Sequence, residues 1–110
     1  MPQTPLYEKR TYSVVTGKMP EVIRLYQEIA WPVMEAEGFA PNLVGYFISD
    51  TGPLHQVIHV WRFEGDNGRR DFWQRLYGSE AFMKFAAQVR PLLKSQEVQL
   101  MWGAPWGPNP

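Results

Sequence analysis

The chain has 110 residues, 45% apolar and 20% charged, a length and composition that fit one ordinary globular domain and not two. Eleven basic side chains balance eleven acidic ones, which argues against a phosphate-driven nucleic-acid partner and against a polybasic membrane-surface role. There is no cysteine, so disulfides and thiolate metal sites are excluded, and no apolar run approaches a membrane span.

The N-terminal stretch MPQTPLYEKRTY has no apolar segment of the kind an export signal needs, so a soluble cytoplasmic protein is the expectation. Leu6 to Val15 is rich in β-branched and aromatic residues and reads as a strand that Thr16-Gly17 ends. From Met19 to Glu37 the apolar residues Val22, Leu25, Tyr26, Ile29 and Val33 mark one helical face. Pro20 suits the first turn and Gly38 the stop, whereas Pro32 deletes the bond to Glu28 and predicts a kink or an end. Asn42 to Asp50 and Leu54 to Glu64 form a hairpin across Thr51-Gly52-Pro53. Asp66-Asn67-Gly68 breaks the chain, and a helix follows with Phe72, Leu76 and Tyr77 on one side as far as Gly78. Ser79 caps a further helix carrying Phe82, Phe85, Ala86, Val89 and Leu93, and Pro91 distorts its end. Ser95 to Trp102 closes as a fourth strand. Residues 103–110 form a Gly/Pro-rich tail beyond the single domain of residues 1–102; it is an arm or disordered, and disorder is expected for most of it.

The order βαββαβ is that of an α+β, ferredoxin-like fold. It is a four-stranded antiparallel sheet with the first and third strands central and both helices on one face, so the other face needs a cover or a polar surface. Along the third strand, Leu54, Gln56, Ile58, Val60 and Arg62 alternate with His55, Val57, His59, Trp61 and Phe63. The first set, with its aliphatic pair, is assigned to the helices, and the second set then lines the free face as an apolar patch. His55 and His59, four residues apart on a strand, stand about 13 Å apart at roughly 3.3 Å per residue. Zinc needs its nitrogens at about 2.0–2.1 Å, so the two histidines do not share a metal ion. No P-loop and no nucleophile elbow is present, and no cofactor is called for.

YEKRTYSVVTGKMPEV, LVGYFISDTGPLHQVIHVW and VRPLLKSQE, in this order and spacing, resemble the NIPSNAP family over Tyr7 to about Leu100. Lys9 departs from the aliphatic residue usual there and His55 from a common Asn. The resemblance implies a dimeric α/β-barrel in which two ferredoxin-like chains pack sheet against sheet, and it implies no settled reaction. Related barrels include cofactor-independent monooxygenases, haem-degrading enzymes and lactone isomerases, an analogy of fold alone. If position 9 meets the helices, as its aliphatic preference implies, then Glu8, Arg10 and Tyr12 face the barrel interior with His59 and Trp61. Arg10 can then clamp a carboxylate or enolate, His59 can move a proton near neutral pH, and Tyr12, Trp61 and Tyr46 can wall a small organic ligand. The same residues also fit a satisfied Glu8–Arg10–His59 network buried at a dimer interface. Arg69-Arg70 reads as a solvated helix face. An RNA-recognition module shares the strand order, but the third strand lacks its Lys/Arg-Gly-aromatic signature, so no nucleic-acid partner is expected. The expected partner is a second copy of the chain. The function expected is that of a pocket-bearing homodimer with cofactor-independent monooxygenase- or isomerase-type activity, or else of a non-catalytic interaction module.

Overall fold

In the computed structural model, which describes residues 4–110, β-branched and aromatic alternation makes strands of Leu6–Val14 (β1), Leu43–Ile48 (β2), Gln56–Phe63 (β3) and Leu93–Trp102 (β4). They form one antiparallel sheet in the order β2-β3-β1-β4, with β1 and β3 in the centre as the topology requires.

The first helical span is continuous but not uniform. Met19–Leu25 (α1) runs into a π turn at Tyr26–Ala30 and then into Trp31–Ala36 (α2). The Trp31 N–H reaches back to the Tyr26 carbonyl, five residues away. This wider turn precedes Pro32 directly, where an α-helical register would press the proline ring against the Glu28 carbonyl and leave it without a donor. Of the two outcomes expected at Pro32, a kink or an end, the helical span does not end there, and the irregularity takes the form of the π turn. Gly38, with φ +82°, takes the left-handed conformation that ends the span.

Asp66-Asn67-Gly68, expected as a break, is instead the opening turn of Asp66–Tyr77 (α3). Glu80–Val89 (α4) begins at Ser79, whose Oγ accepts the Phe82 N–H and donates to Glu37 Oε1. Arg90–Leu92 is a single 3₁₀ turn around Pro91.

The helices cover the face opposite to the one assigned from the sequence. Along β3, Val57, His59, Trp61 and Phe63 are buried and the even-numbered residues are half-buried. Val57 packs with Val14, Val22, Leu25, Phe85 and Val89, and Trp61 and Phe63 pack with Met34, Phe39, Phe72 and Leu76. Ile58 and Val60 therefore lie on the uncovered face, together with Lys9 and Thr11, their partners or neighbours in register. The physical reason is volume. The layer between sheet and helices takes the large aromatic side chains, which exclude most water there, and the slimmer aliphatic pair is left for the open face.

The tail lacks regular structure but is an arm and not loose chain. The Tyr7 hydroxyl donates to the Pro110 backbone oxygen, Arg62 Nη1 donates to the Asn109 and Pro110 oxygens, and the Gly103 N–H donates to the Pro5 carbonyl. Trp106 nevertheless stays 76% exposed.

Candidate functional site

Cross-strand register brings the predicted residues together. Glu8 lies opposite Trp61, Arg10 opposite His59 and Tyr12 opposite Val57 across β1 and β3. Tyr46 lies opposite His59 on β2. Its orientation depends on a bulge at Val44, between Leu43 and Gly45, which places both Leu43 and Tyr46 on the helix side although they are three residues apart. All six residues meet beneath the helices of their own chain, not in a space between two sheets. His55 does not join them. It precedes β3 with φ +61°, its side chain is exposed, and its carbonyl accepts the Val14 N–H.

Glu8 is fully buried and its carboxylate is saturated with donors. Arg10 Nη1 donates to Oε2 at 2.9 Å, while Arg69 Nε and Trp73 Nε1 both donate to Oε1. Arg69, read from sequence as solvated, is thus a partner of the buried carboxylate, reaching it from α3. Arg70 keeps the solvated role expected of it, paired with Asp66. The sequence held no signal that separated the two arginines, because only the docking of α3 selects which one turns inward. Arg10 stacks over the Trp73 ring with its Cζ 4.4 Å from the ring centre. Two guanidiniums thus share one buried carboxylate, which leaves a positive charge in excess beside the site. Asp66, half exposed, balances part of it from the far side of Arg69 at 3.6 Å.

His59 is 4% exposed. Its Nδ1 accepts the Trp61 Nε1–H at 2.7 Å, so in the neutral ring the proton sits on Nε2. Burial, reinforced by the nearby Arg10 charge, pushes the imidazole pKa down to about 3. The expectation that His59 moves a proton near neutral pH does not fit this environment, where the ring stays neutral. Nε2 is buried and makes no hydrogen bond within the described chain; the same holds for Arg10 Nε. The site therefore presents two buried N–H donors without acceptors.

The first of them, on His59, borders a cavity of about 40 Å³ lined also by Tyr12, Tyr26, Tyr46, Trp61 and Phe85 among others, whereas Arg10 is not one of its walls. The Tyr12 ring meets His59 edge-on at 4.8 Å and Tyr46 lies 5.6 Å from it. Burial raises the pKa values of Tyr12, Tyr26 and Tyr46, so all three phenols hold their protons. A space of this size takes a small polar group or a few water molecules, not a whole drug-sized ligand. Among the described residues no free base faces it: Glu8 is spent on three donors and His59 Nδ1 on Trp61. What the arrangement offers chemically is donation to an oxygen anion. Among the described residues no cluster of His, Asp and Glu has the makings of a metal site.

Comparison with known proteins agrees with this fold. The chain resembles the crystal structure of a NIPSNAP family protein from Agrobacterium tumefaciens, with 28% identity, 96% of this chain and 90% of that one covered, and a TM-score of 0.87. Two more distant structures share the fold alone. One is an antibiotic biosynthesis monooxygenase (16% identity, 91% and 99% covered, TM-score 0.64). The other is a dimeric ferredoxin-like protein from an uncultured marine organism (9% identity, 96% and 93% covered, TM-score 0.71). Functionally curated proteins gave no match. The NIPSNAP family model matches residues 7–108, nearly the whole chain. With the βαββαβ order and the sheet topology in agreement, the chain belongs to the NIPSNAP family.

Proposed function

We propose that this protein is a homodimer that binds a small molecule in a pocket between each chain's own sheet and helices, and that the pocket stabilises an oxygen anion. The observation that carries the reading is the His59 Nε2–H, buried and without an acceptor, beside an unpaired Arg10 Nε–H and three protonated phenols. A buried donor left unsatisfied costs about 1–3 kcal/mol. A ligand oxygen that accepts from it recovers that cost, and a negative one recovers more. Enolates and phenolates meet this requirement, and they are the reactive forms in isomerase chemistry and in cofactor-independent oxygenation. The reaction class of the monooxygenase that shares the fold is consistent with such a pocket.

Dimerisation through the open sheet face is supported by Ile58 and Val60 on the central strand and by Phe47 beside them, 53% exposed. A second reading, a non-catalytic interaction module, draws on the exposed row Val98, Leu100 and Trp102 together with Trp106.

The test uses 4-nitrophenol, whose phenolate absorbs visible light and reports its own ionisation. At a pH near the probe's pKa, binding is expected to raise the phenolate fraction, and His59→Leu, which has no N–H donor in its side chain, is expected to shrink that rise. Binding with no change in ionisation defeats the oxygen-anion reading. No binding at all, with wild type and His59→Leu alike, favours the interaction module.

A further inference from the structure

A second depression lies on the other side of two of the cavity's walls. It is an apolar groove of about 350 Å³ lined by Ile23, Tyr26, Trp31, Leu43, Tyr46 and Ile48, among others. Tyr26 and Tyr46 border both spaces, and their rings meet edge to face with centroids 5.5 Å apart. The two volumes divide the requirements of a ligand between them. The inner 40 Å³ suits a polar head alone, whereas 350 Å³ falls at the lower end of the range of small-molecule clefts.

The π turn shapes the outer wall. In a regular α-helix, residues five apart point about 140° away from each other at 3.6 residues per turn. A π turn bonds residue i to i+5 and so sets them nearly one above the other. Here it lets Tyr26 and Trp31 both reach Tyr46, at 5.5 and 6.2 Å between ring centroids. The groove thereby gains two aromatic walls from one helical span, and flat aromatic walls favour flat apolar ligands. Ile48 opposite is 54% exposed, so the groove opens to solvent.

We infer that groove and cavity form one two-part site for a flat apolar acid. Its ring system lies in the groove, and its ionised oxygen reaches the His59 donor when the Tyr26 and Tyr46 rings, in edge-to-face contact, part to admit it. This rests on the reading that the inner cavity binds a small molecule, and it adds the ligand's class and the ligand's route. Tyr26 and Tyr46 act as the partition between the two spaces.

The experiment follows the Trp61 indole N–H and His59 ring resonances by NMR, since these report the inner cavity directly. Acetate serves as the bare head, 2-naphthoate as head with body, and 2-naphthylmethanol as the uncharged counterpart. Naphthoate is expected to shift both resonances at a concentration at least tenfold below that of acetate, and at least tenfold below that of the alcohol. Ile23→Trp and Ile48→Trp fill the groove from opposite walls, and each is expected to weaken naphthoate at least tenfold while acetate changes less than twofold. Ile48 is exposed enough for its variant to fold should Ile23→Trp fail. If acetate and naphthoate act at equal concentrations, or if neither groove variant weakens naphthoate, the two-part site is wrong and the inner pocket stands. If no probe moves either resonance, the pocket itself is wrong, and this inference with it.

Discussion

Acid should destabilise this protein through His59 in a window that its environment defines. Burial and the Arg10 charge hold the folded-state pKa at about 3, against 6.5 for the unfolded chain. Between these values the unfolded state binds a proton that the folded state refuses, so stability is full above pH 6.5 and falls as pH drops toward 3. One pKa unit corresponds to about 1.4 kcal/mol, so the slope within the window approaches that value per pH unit. From pH 7 to pH 5 the loss from this one group is about 2 kcal/mol. With an m-value of about 2 kcal/mol/M, the urea midpoint moves down by roughly 1 M. The control is His59→Gln, which does not titrate and keeps a carbonyl oxygen able to accept from Trp61 Nε1. Urea unfolding of both proteins at pH 7, 6 and 5, at one protein concentration, gives the comparison. The variant is expected to lose about 2 kcal/mol less than wild type over this range. Equal losses would mean that His59 titrates alike folded and unfolded, and the picture of a neutral, buried donor would fall with it.

Three further outcomes follow from the packing. Glu8→Gln leaves Arg10 and Arg69 without their shared carboxylate; breaking a buried pair costs about 3–5 kcal/mol, and the partial exposure of both arginines puts this case near the lower end, visible as a lower melting temperature. Trp61→Phe removes the Nε1–H that fixes the His59 tautomer together with part of the buried indole surface, so ¹⁵N spectra should show His59 losing its single Nε2–H form, with about 2 kcal/mol of stability lost. Val60→Asp puts a charge on the open face of the central strand, and light scattering should find monomer where wild type gives dimer; a wild-type monomer would refute the interface outright.

The βαββαβ order and the central placement of β1 and β3 were legible because turn residues and hydrophobic periods punctuate this chain clearly. Ser79 as a cap and Gly38 as a stop needed only local chemistry. His55, expected within the third strand, proved to lie just before it, with φ +61°. Other features were not local. Pro32 gave notice of an irregularity in the first helical span, but the π turn that absorbs it depends on how that span lies against Tyr46. The side on which Tyr46 falls depends on the bulge at Val44, an extra residue that no pattern of period two reveals. Arg69 and Trp73 join Glu8 from a helix more than sixty residues away.

The deepest division concerns the two faces of the sheet. Alternation along β1 and β3 by itself kept Glu8, Arg10 and Tyr12 together and kept His59 with Trp61, and the family resemblance at position 9 put the two groups on one face. It did not determine which group the helices cover, because a period of two separates the faces without giving them a sign, and both sets on β3 contain apolar residues. Only the tertiary structure decided that. The layer beneath the helices must be filled to the density of a solid, and Trp61 and Phe63 fill it where Ile58 and Val60 do not. The polar groups registered beside those aromatics were carried under the helices with them, and so the site belongs to each chain's own interior.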